Sequence, residues 1–295
     1  MKRLVGISFF ILMIFALTVS NSQAQIKLIS GLEGGTYNQM ATDISKHSSQ
    51  PVEVLTSNGS MDNFHQLMKD NDINIAFMQY DVLLANKLLD SKLKDKVRVL
   101  FPLFLDEEIH LIAKKGSKIK NIKDLEGMKV GIGTPEQGTH VTALTIKDKT
   151  GIGWDDVEIG SNEAYEALLN GEIDAYFYVG GMPISSLKDL ADTAQIQLVN
   201  IKHKSLKDIY RAKKIKKGTY KWQTKTVKTY AVPTLIVVKI QGMELYYEKA
   251  VNQFLTDIKA NIPKMQQDGH PKWQEVYYQN QVIDWPYYYE RAKVE

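Results

Sequence analysis

The sequence of 295 residues contains no cysteine. This absence excludes disulfide bonds, thiolate metal sites and lipid attachment at a cysteine, so the folded protein must be stabilised by its hydrophobic core alone. With 44% hydrophobic and 24% charged residues, the chain has a normal globular composition and is long enough to bury such a core. We therefore expect one large domain or two ordinary ones, and not a disordered chain.

The sequence also lacks the usual residue patterns of catalysis and metal binding. Its six histidines, at positions 47, 65, 110, 140, 203 and 270, show no ligand spacing, and neither His-Glu-x-x-His nor Gly-x-Ser-x-Gly occurs. No nucleophile with a base and no pair of carboxylates with separate roles is visible. We predict that the protein is not an enzyme and that it holds neither a metal ion nor a cofactor.

Long apolar runs are limited to one, from Leu4 to Val19, which follows Met1-Lys2-Arg3. Its 16 residues are fewer than the roughly 20 that span a membrane. The run therefore predicts a signal peptide over residues 1–24, cleaved before Gln25, and a mature protein in the periplasm. A retained N-terminal anchor is the alternative. Removing Lys2 and Arg3 lowers the formal net charge from +3 to +1, which does not indicate a nucleic-acid-binding protein.

What the sequence does contain is a repeated glycine-rich loop between a strand and a helix. Gly133 to Ala143 reads GTPEQGTHVTA after the apolar strand Met128 to Ile132, and Gly31 to Tyr37 reads GLEGGTY after Ile26 to Ser30. Glycine lets the backbone turn tightly and lets a ligand approach it, while uncovered N–H groups and the helix dipole attract an anion. One such loop is a weak signal, but its repetition favours an anion-binding site.

A second pair of loops extends the repeat. Gly59-Ser60 opens a helical segment followed by DINIAF, and Gly160-Ser161 opens one followed by EIDAYF. The two Gly-Thr loops are 103 positions apart and the two Gly-Ser loops 101. We therefore predict a duplicated unit of strand, Gly-Thr loop, helix, strand, Gly-Ser loop, helix and strand. Two copies mean two α/β lobes, with four helix N-termini available to face one cleft.

Two extended segments are predicted to join the lobes. Glu108 to Lys114 has the pattern of a strand, and so has Tyr230 to Ile240, whose internal proline is typical of an edge or a crossover. We expect residues 25–107 and 230–295 to form lobe 1, completed by helices at 245–259 and 272–280. Residues 108–229 are expected to form lobe 2. A chain that crosses between lobes twice can close on a ligand by hinge bending.

The segment from Ile201 to Trp222 departs from the repeat, because it carries nine Lys and Arg residues. A nucleic-acid patch, a solvated helical face and a docking face for a membrane partner are the three interpretations. In an exported protein the solvated helical face is favoured.

Several polar side chains in or beside the loops are candidates for ligand contact. Glu33 and Glu136 could receive a ligand ammonium, or could be isolated surface carboxylates. Gln79 directly follows a predicted buried strand, where an amide has little structural reason to be, and Tyr178 ends a strand whose last ring could wall a pocket. His140 could contact a ligand or point at solvent. Four hydroxyl residues could cap their helices, bind a ligand or do both: Thr36, Ser60, Thr139 and Ser161.

At this point the sequence resembles a known family, the TAXI group of solute receptors for tripartite ATP-independent periplasmic (TRAP) transporters. The resemblance lies between Gly31 and Lys239, in the segments GLEGGTY, NGSMDNF, IAFMQYD, EIHLIAKK, IKDLEGMKVGIGTPEQGTHVTA, ALLNGEIDAYFYVGGMP and YAVPTLIVVK. It implies an α/β fold like that of the type II periplasmic-binding proteins, with two lobes about a two-segment hinge. It also implies a small organic anion or amino acid held between the lobes.

The resemblance implies a set of pocket residues as well, to which we add Gln137 and His140 from the second loop. The implied residues are Thr36, Tyr37, Asn58, Ser60, Gln79, Gly138, Thr139, Tyr178 and Gly181. This sequence departs from the family where Pro135-Glu136-Gln137 replaces the usual small residues before the second Gly-Thr. The added bulk and carboxylate leave the identity of the ligand open.

The sequence thus predicts a monomeric periplasmic receptor that captures a small carboxylate or amino acid, either glutamate-like or a dicarboxylate. We expect it to deliver this ligand to the membrane permease subunits of a TRAP transporter and to bind no nucleic acid. A sensory receptor of the same fold, acting on a kinase or chemoreceptor, is the alternative, since both roles need only ligand-dependent closure. An enzyme built on the same scaffold is the third interpretation.

Overall fold

A computed structural model describes residues 25–276 and 283–288, so the predicted signal peptide lies outside the described residues. The strands are β1 (Ile26–Ile29), β2 (Val52–Leu55), β3 (Ile75–Gln79), β4 (Val97–Lys114), β5 (Lys129–Gly131), β6 (Asp155–Val157), β7 (Ala175–Gly180), β8 (Ile196–Leu198), β9 (Arg211–Ile215) and β10 (Val227–Lys239). The helices are α1 (Thr36–His47), α2 (Ser60–Lys69), α3 (Tyr80–Leu89), α4 (Leu93–Lys96), α5 (Gly138–Thr150), α6 (Ser161–Asn170), α7 (Ser185–Lys188) and α8 (Leu245–Asp268). None of the helices among these residues is long and apolar enough to cross a membrane.

The predicted duplication is confirmed by the strand order of the sheet. β1 lies between β2 and β3 and is parallel to both, and β5 lies in the same way between β6 and β7. In each copy the helices follow the first and second strands, as the loop pattern indicates. β3 is buried along its whole length, which explains why its sequence IAFMQ shows no alternation of apolar and polar residues.

Strands β4 and β10 run through both copies and join them into one sheet. Its order is β2-β1-β3-β10-β4-β7-β5-β6. Glu108 to Lys114, which the sequence predicts as a strand, is the second half of the longer strand β4, whose first half pairs with β10 and whose second half pairs with β7. Pro233 lies where β10 changes partners, after Val227–Ala231 pairs with β9 and before Thr234–Val238 pairs with β3. The pairing of β10 with β4 shifts register between Val232 and Thr234, so the proline lies at an irregularity of the sheet. The sequence predicts an edge or a crossover here; β10 does cross from one copy to the other, but it lies between β3 and β4 in the middle of the sheet and is not an edge strand.

The basic segment is not the solvated helix that the sequence favours. Within it, Lys204–Leu206 forms one 3₁₀ turn and Arg211–Ile215 forms β9, which pairs antiparallel with β10. Pairing with a buried neighbouring strand outweighs the helical preference of lysine, because local propensity is a weak determinant against tertiary contacts.

The C-terminal region differs in length from its prediction. α8 extends to Asp268 although Pro263 lies inside it, and the next element is a 3₁₀ helix at Pro271–Glu275 instead of an α-helix at 272–280. Residues 277–280 of that predicted helix lie outside the described residues. The long helix packs against α1 and contributes Val251, Phe254 and Ile258 to the core.

Among the described residues, the clusters of the hydrophobic core divide along the chain much as the two copies of the repeat do. Two clusters combine residues from positions 26–103 with residues from 235–288, and two others use only residues from 109–232. One side chain crosses this division: Val141 of α5 packs with Phe64 of α2 and Val82 of α3. The lobe boundaries stated above stay a prediction, but this packing shows that the two copies are in direct apolar contact through α5.

Candidate functional site

A cavity of about 440 Å³ lies where the first-turn residues of four helices meet. Thr36, Ser60, Gly138 and Ser161, which are the first residues of α1, α2, α5 and α6, all line it. Nine of the eleven candidate residues line this cavity: Thr36, Tyr37, Asn58, Ser60, Gln79, Gln137, Gly138, Thr139 and Tyr178. The four helix N-termini predicted from the repeats therefore face one space.

The hydroxyl residues at these helix starts do not cap their helices. The N-cap positions belong to Gly35, Gly59, Gln137 and Gly160, and none of the four N-caps makes a side-chain capping hydrogen bond. The capping interpretation of Thr36, Ser60, Thr139 and Ser161 is therefore wrong. Instead, the Oγ of Ser60 accepts a hydrogen bond from the N–H of Gln79 at 2.8 Å, and the Oγ1 of Thr139 accepts one from the N–H of Val179 at 3.1 Å.

Three of the four N-termini keep their main-chain N–H groups uncovered. Within the described residues, the first three N–H groups of α1, α5 and α6 donate to no acceptor. Such groups and the positive end of the helix dipole attract a carboxylate or another anion. The local sequence produces this arrangement because glycine or glutamine, instead of Ser, Thr or Asp, occupies each N-cap.

The N-terminus of α2 is covered by the loop Pro135-Glu136-Gln137. The N–H groups of Met61 and Asp62 both donate to the main-chain oxygen of Glu136, at 3.1 and 2.9 Å. Gly59 permits this approach, because its φ is 139° and an added Cβ would lie 3.1 Å from the Cα of Gln137. The side chain of Glu136 does not line the cavity, whereas Glu33 does. The loop therefore fastens the two copies of the repeat together and leaves three helix N-termini for a ligand.

A buried carboxylate that the sequence analysis did not single out lies in the cavity wall. Glu107 is 4% exposed, and its Oε2 accepts hydrogen bonds from Tyr37 Oη at 2.6 Å, Thr234 Oγ1 at 2.9 Å and Gln79 Nε2 at 3.2 Å. Burial raises the pKa of the Glu107 carboxyl, and the three donors oppose that shift. Because all three donors are uncharged, Glu107 can still attract a cationic or hydroxyl group of a ligand.

Gln79 has an acceptor that the protein leaves unused. Its side chain is 3% exposed, and its Oε1 is buried without a hydrogen-bond partner in the described part of the chain. This amide lies against Gly138, where an added Cβ would be 2.5 Å from Cδ and closer still to Oε1. A buried unpaired acceptor beside a cavity is costly, so a ligand N–H or O–H that reached it would restore the missing hydrogen bond.

The remaining candidates have other positions or partners. His140 does not line the cavity, and its Nε2 lies 3.5 Å from Glu158 Oε1. Gly181 is also outside the lining and packs against Thr36 and Lys272. Gln137 lines the cavity, but its Oε1 accepts from the N–H of Thr134 at 3.2 Å and so stabilises its own loop. Neither His140 nor Gly181 is placed for direct ligand contact in this conformation.

The wall of the cavity has an unusual charge balance for an anion receptor. The described residues that line it include two carboxylates, Glu33 and Glu107, and no Lys, Arg or His. No cationic side chain of the lining therefore attracts a carboxylate, and the positive ends of the helix dipoles are left to do so. Among the described residues there is also no group of three or more His, Cys, Asp or Glu side chains that could hold a metal ion.

Beside the cavity, Asp81 of α3 makes a buried contact with the second copy of the repeat. Its Oδ2 accepts from Thr142 Oγ1 at 2.6 Å and from Tyr210 Oη at 2.9 Å, while its Oδ1 is buried without a partner. Asp81 is 3% exposed, and burial raises its pKa to about 6. The contact thus depends on a carboxyl group that titrates in a mildly acidic range.

This shift predicts a pH dependence that Asp81→Asn should remove. Because the folded state holds the proton more tightly, the free energy of unfolding falls as pH rises from the ordinary value of 3.8 to about 6. The full loss is about 3 kcal/mol, and asparagine cannot undergo it. In urea unfolding, the variant should gain stability relative to the wild type between pH 4 and pH 7. Asp95→Asn, at an exposed carboxylate of α4, is the control; equal pH dependence in all three proteins would contradict the prediction.

Comparison with solved structures shows the class of fold to which this chain belongs. The chain is similar to the alkanesulfonate-binding protein SsuA from Xanthomonas axonopodis pv. citri bound to MOPS, with 9% identity, a TM-score of 0.51, and coverage of 86% of this chain and 85% of that one. It is also similar to an ancestral arginine-binding protein bound to arginine, with 15% identity, a TM-score of 0.52, and coverage of 87% and 99%. At such identities the likeness shows the fold alone, and the predicted periplasmic-binding-protein-like α/β fold is confirmed.

A third similar structure is protein AF1704 from Archaeoglobus fulgidus, with 12% identity, a TM-score of 0.54, and coverage of 86% of this chain and 81% of that one. The sequence itself gives the family. Residues 30–264 match the NMT1-like family, and the chain belongs to that family. The solute-binding-protein fold expected from the sequence is therefore established, while the ligand and the membrane partner belong to the proposal that follows.

Proposed function

We propose that this protein is an extracytoplasmic solute receptor that captures a small amino acid or organic anion in the cavity and delivers it to a TRAP-type transporter. The observation that carries this proposal is the convergence of the first turns of α1, α2, α5 and α6 on one space of about 440 Å³. A cavity of this volume is within the range of small-molecule sites, and the uncovered N–H groups suit a carboxylate. The TRAP partner and the periplasmic location rest on the sequence resemblance and on the predicted signal peptide.

The charge of the wall favours an amino acid over a dicarboxylate. A dicarboxylate would bring two negative charges beside Glu33 and Glu107 without a single cationic side chain in the lining. A zwitterionic amino acid can place its carboxylate at the helix N-termini and its ammonium at Glu107 and Gln79 Oε1, so that each charge has a partner of opposite polarity. Of the ligand types expected from the sequence, the amino acid is therefore the better fit, because its ammonium, which a dicarboxylate lacks, has acceptors in the wall.

A ligand panel tests this function. The mature protein should gain thermal stability from one or more α-amino acids, by about 2.7 kcal/mol at 100 times the dissociation constant. The matched dicarboxylate without the amino group, such as glutarate beside glutamate, should shift the melting temperature much less. If neither amino acids nor organic acids shift it, the receptor proposal loses its support. If only the dicarboxylates do, the receptor proposal holds, but the assignment of an ammonium to Glu107 is wrong.

A further inference from the structure

A second cavity, also of about 440 Å³, lies between β8 and the turn that connects β9 to β10. No residue lines both this cavity and the one described above. Its described lining includes three lysines, Lys115, Lys120 and Lys225, and no carboxylate. The two cavities are therefore opposite in character, since the first has carboxylates without cations and the second has cations without carboxylates.

The three lysines are not held in ion pairs by neighbouring described side chains. All three are exposed, and none makes an ion pair with a described residue. Lys120 Nζ has only the amide oxygen of Gln197, at 3.5 Å. The carboxylate nearest in sequence, Asp124, accepts from the main-chain N–H groups of Lys120 and Asn121 and so closes its own turn. The lysine charges remain available to an anion outside the protein.

A buried polar side chain in the wall of the same cavity has an atom without a partner. Gln223 is 6% exposed, and its Nε2 donates to the main-chain oxygens of Ile215 and Lys225, which fixes the orientation of the amide. Its Oε1 is buried and accepts nothing in the described part of the chain. The wall of the cavity thus combines three exposed cations with one unused acceptor below its surface, and the cations suit an anionic phosphate.

The cavity opens within a larger region that we call the basic surface, formed by residues 114–120 and 201–228. The first segment has four lysines and no acidic residue, and the second has eleven Lys and Arg residues against one carboxylate, Asp208. Arg211 and Lys213 pair with Asp106, but Lys214 and Lys228 face each other directly across β9 and β10, and both are exposed. Like charges opposite one another destabilise a sheet, so an anionic partner would relieve them.

We propose that the basic surface docks the protein on an anionic membrane and that the second cavity receives the phosphate-bearing headgroup of a lipid. A protein partner fits less well, because no large exposed hydrophobic side chain lies in either segment and protein interfaces are depleted of lysine. Single-stranded nucleic acid fits less well too, because it needs exposed aromatic stacking platforms, and Trp222 is buried. Clustered lysines attract a diffuse anionic lipid surface without requiring a fixed geometry.

The test is binding of the mature protein to vesicles of 30% phosphatidylglycerol in phosphatidylcholine, compared with vesicles of phosphatidylcholine alone. We expect co-sedimentation with the anionic vesicles and loss of binding at high salt, because screening shortens the range of the attraction. The combined variant Lys115→Gln, Lys120→Gln and Lys225→Gln should bind about a hundredfold more weakly, at about fivefold for each charge removed. The control variant Lys92→Gln, Lys249→Gln and Lys264→Gln loses the same charge at exposed lysines outside the basic surface and should change binding by a few-fold at most.

Three results would overturn the proposal. One is equal binding to neutral and anionic vesicles, and another is equal weakening in the two triple variants. The third is saturable stabilisation by inorganic phosphate or glycerol phosphate without any vesicle binding, which would assign the cavity to a free phosphate ester. The melting temperatures of both triple variants should equal that of the wild type, which shows that the variants are folded. Failure here leaves the proposed receptor function untouched, since the first cavity shares no residue with the second.

Discussion

Replacing Glu107 by glutamine is expected to weaken amino-acid binding by about tenfold to a hundredfold, because a hydrogen bond to a charged group contributes roughly 1.5–3 kcal/mol. The substitution keeps the shape of the side chain and one carbonyl oxygen that Tyr37, Thr234 or Gln79 can still use. It removes a carboxylate whose burial raises its pKa, so the free energy of unfolding at neutral pH should not fall. Calorimetric titration and urea unfolding on the same variant separate the two effects.

The matched control is Glu33→Gln, because Glu33 is the other carboxylate in the cavity wall and is exposed. Solvent screening makes its contribution small, so its substitution should lower affinity only a few-fold. Binding to the wild type should also weaken as the solution is acidified, since a raised pKa lets Glu107 take up a proton at a higher pH than an ordinary glutamate. A folded Glu107→Gln variant with unchanged amino-acid affinity would contradict the assignment of the ligand ammonium to this residue.

The parts of the site that repeat locally in the sequence were predictable. Each Gly-rich loop lies between a strand and a helix, and the same order in both copies produces β2-β1-β3 and β6-β5-β7. Within each copy, parallel strands place their carboxyl ends at one edge, so the helix N-termini that follow are neighbours. The two sets face each other because β3 and β7 approach the middle of β4 and β10 from opposite directions, which the sequence pattern does not show. The sequence resemblance and the repeat spacing select eleven candidates, and nine of these lie in the wall of one cavity.

Glu107 could not be found in this way, because its position depends on contacts far along the chain. In the sequence it lies within Asp106-Glu107-Glu108, which has the composition of a solvated turn. Its burial follows from the pairing of β4 with β10 and from Tyr37 of α1. The available signal was three consecutive acidic residues inside an otherwise apolar extended segment, where charged side chains require partners.

Glu136 lies in a loop that the sequence pattern selects, but its side chain is not the group that makes the contact. Its carboxylate was a candidate for a ligand ammonium, yet its main-chain oxygen is the group that acts, at the N-terminus of α2. Main-chain acceptors have no residue signature, so only the backbone path of Pro135-Glu136-Gln137 reveals the contact. The same limitation applies to Thr139, whose hydroxyl accepts the N–H of Val179 and so fixes α5 to β7.

Gly138→Ala is expected to disrupt the site and to lower stability together, through one steric contact. The added Cβ would overlap the amide of Gln79, which is 3% exposed and hydrogen-bonded to Glu107. Overpacking a closely filled site costs about 1–3 kcal/mol. The amide can move away from the added Cβ only by breaking its hydrogen bond with Glu107 or by entering the cavity. Either movement should weaken ligand binding, and a loss of more than about 1.4 kcal/mol of binding free energy lowers the affinity by more than about tenfold.

A double-mutant cycle decides whether that contact is the cause. Gln79→Ala removes the obstacle, so the combination with Gly138→Ala should be more stable than the sum of the single effects predicts, by about 0.5–3 kcal/mol. Gly160→Ala is the matched control, because its Cβ would meet only the carboxylate end of exposed Glu163, which can move aside. Its cost should stay below about 1 kcal/mol, as for an ordinary N-cap change. Additive effects of Gln79→Ala and Gly138→Ala would show that the glycine is required for the backbone of α5 and not for the position of the Gln79 amide.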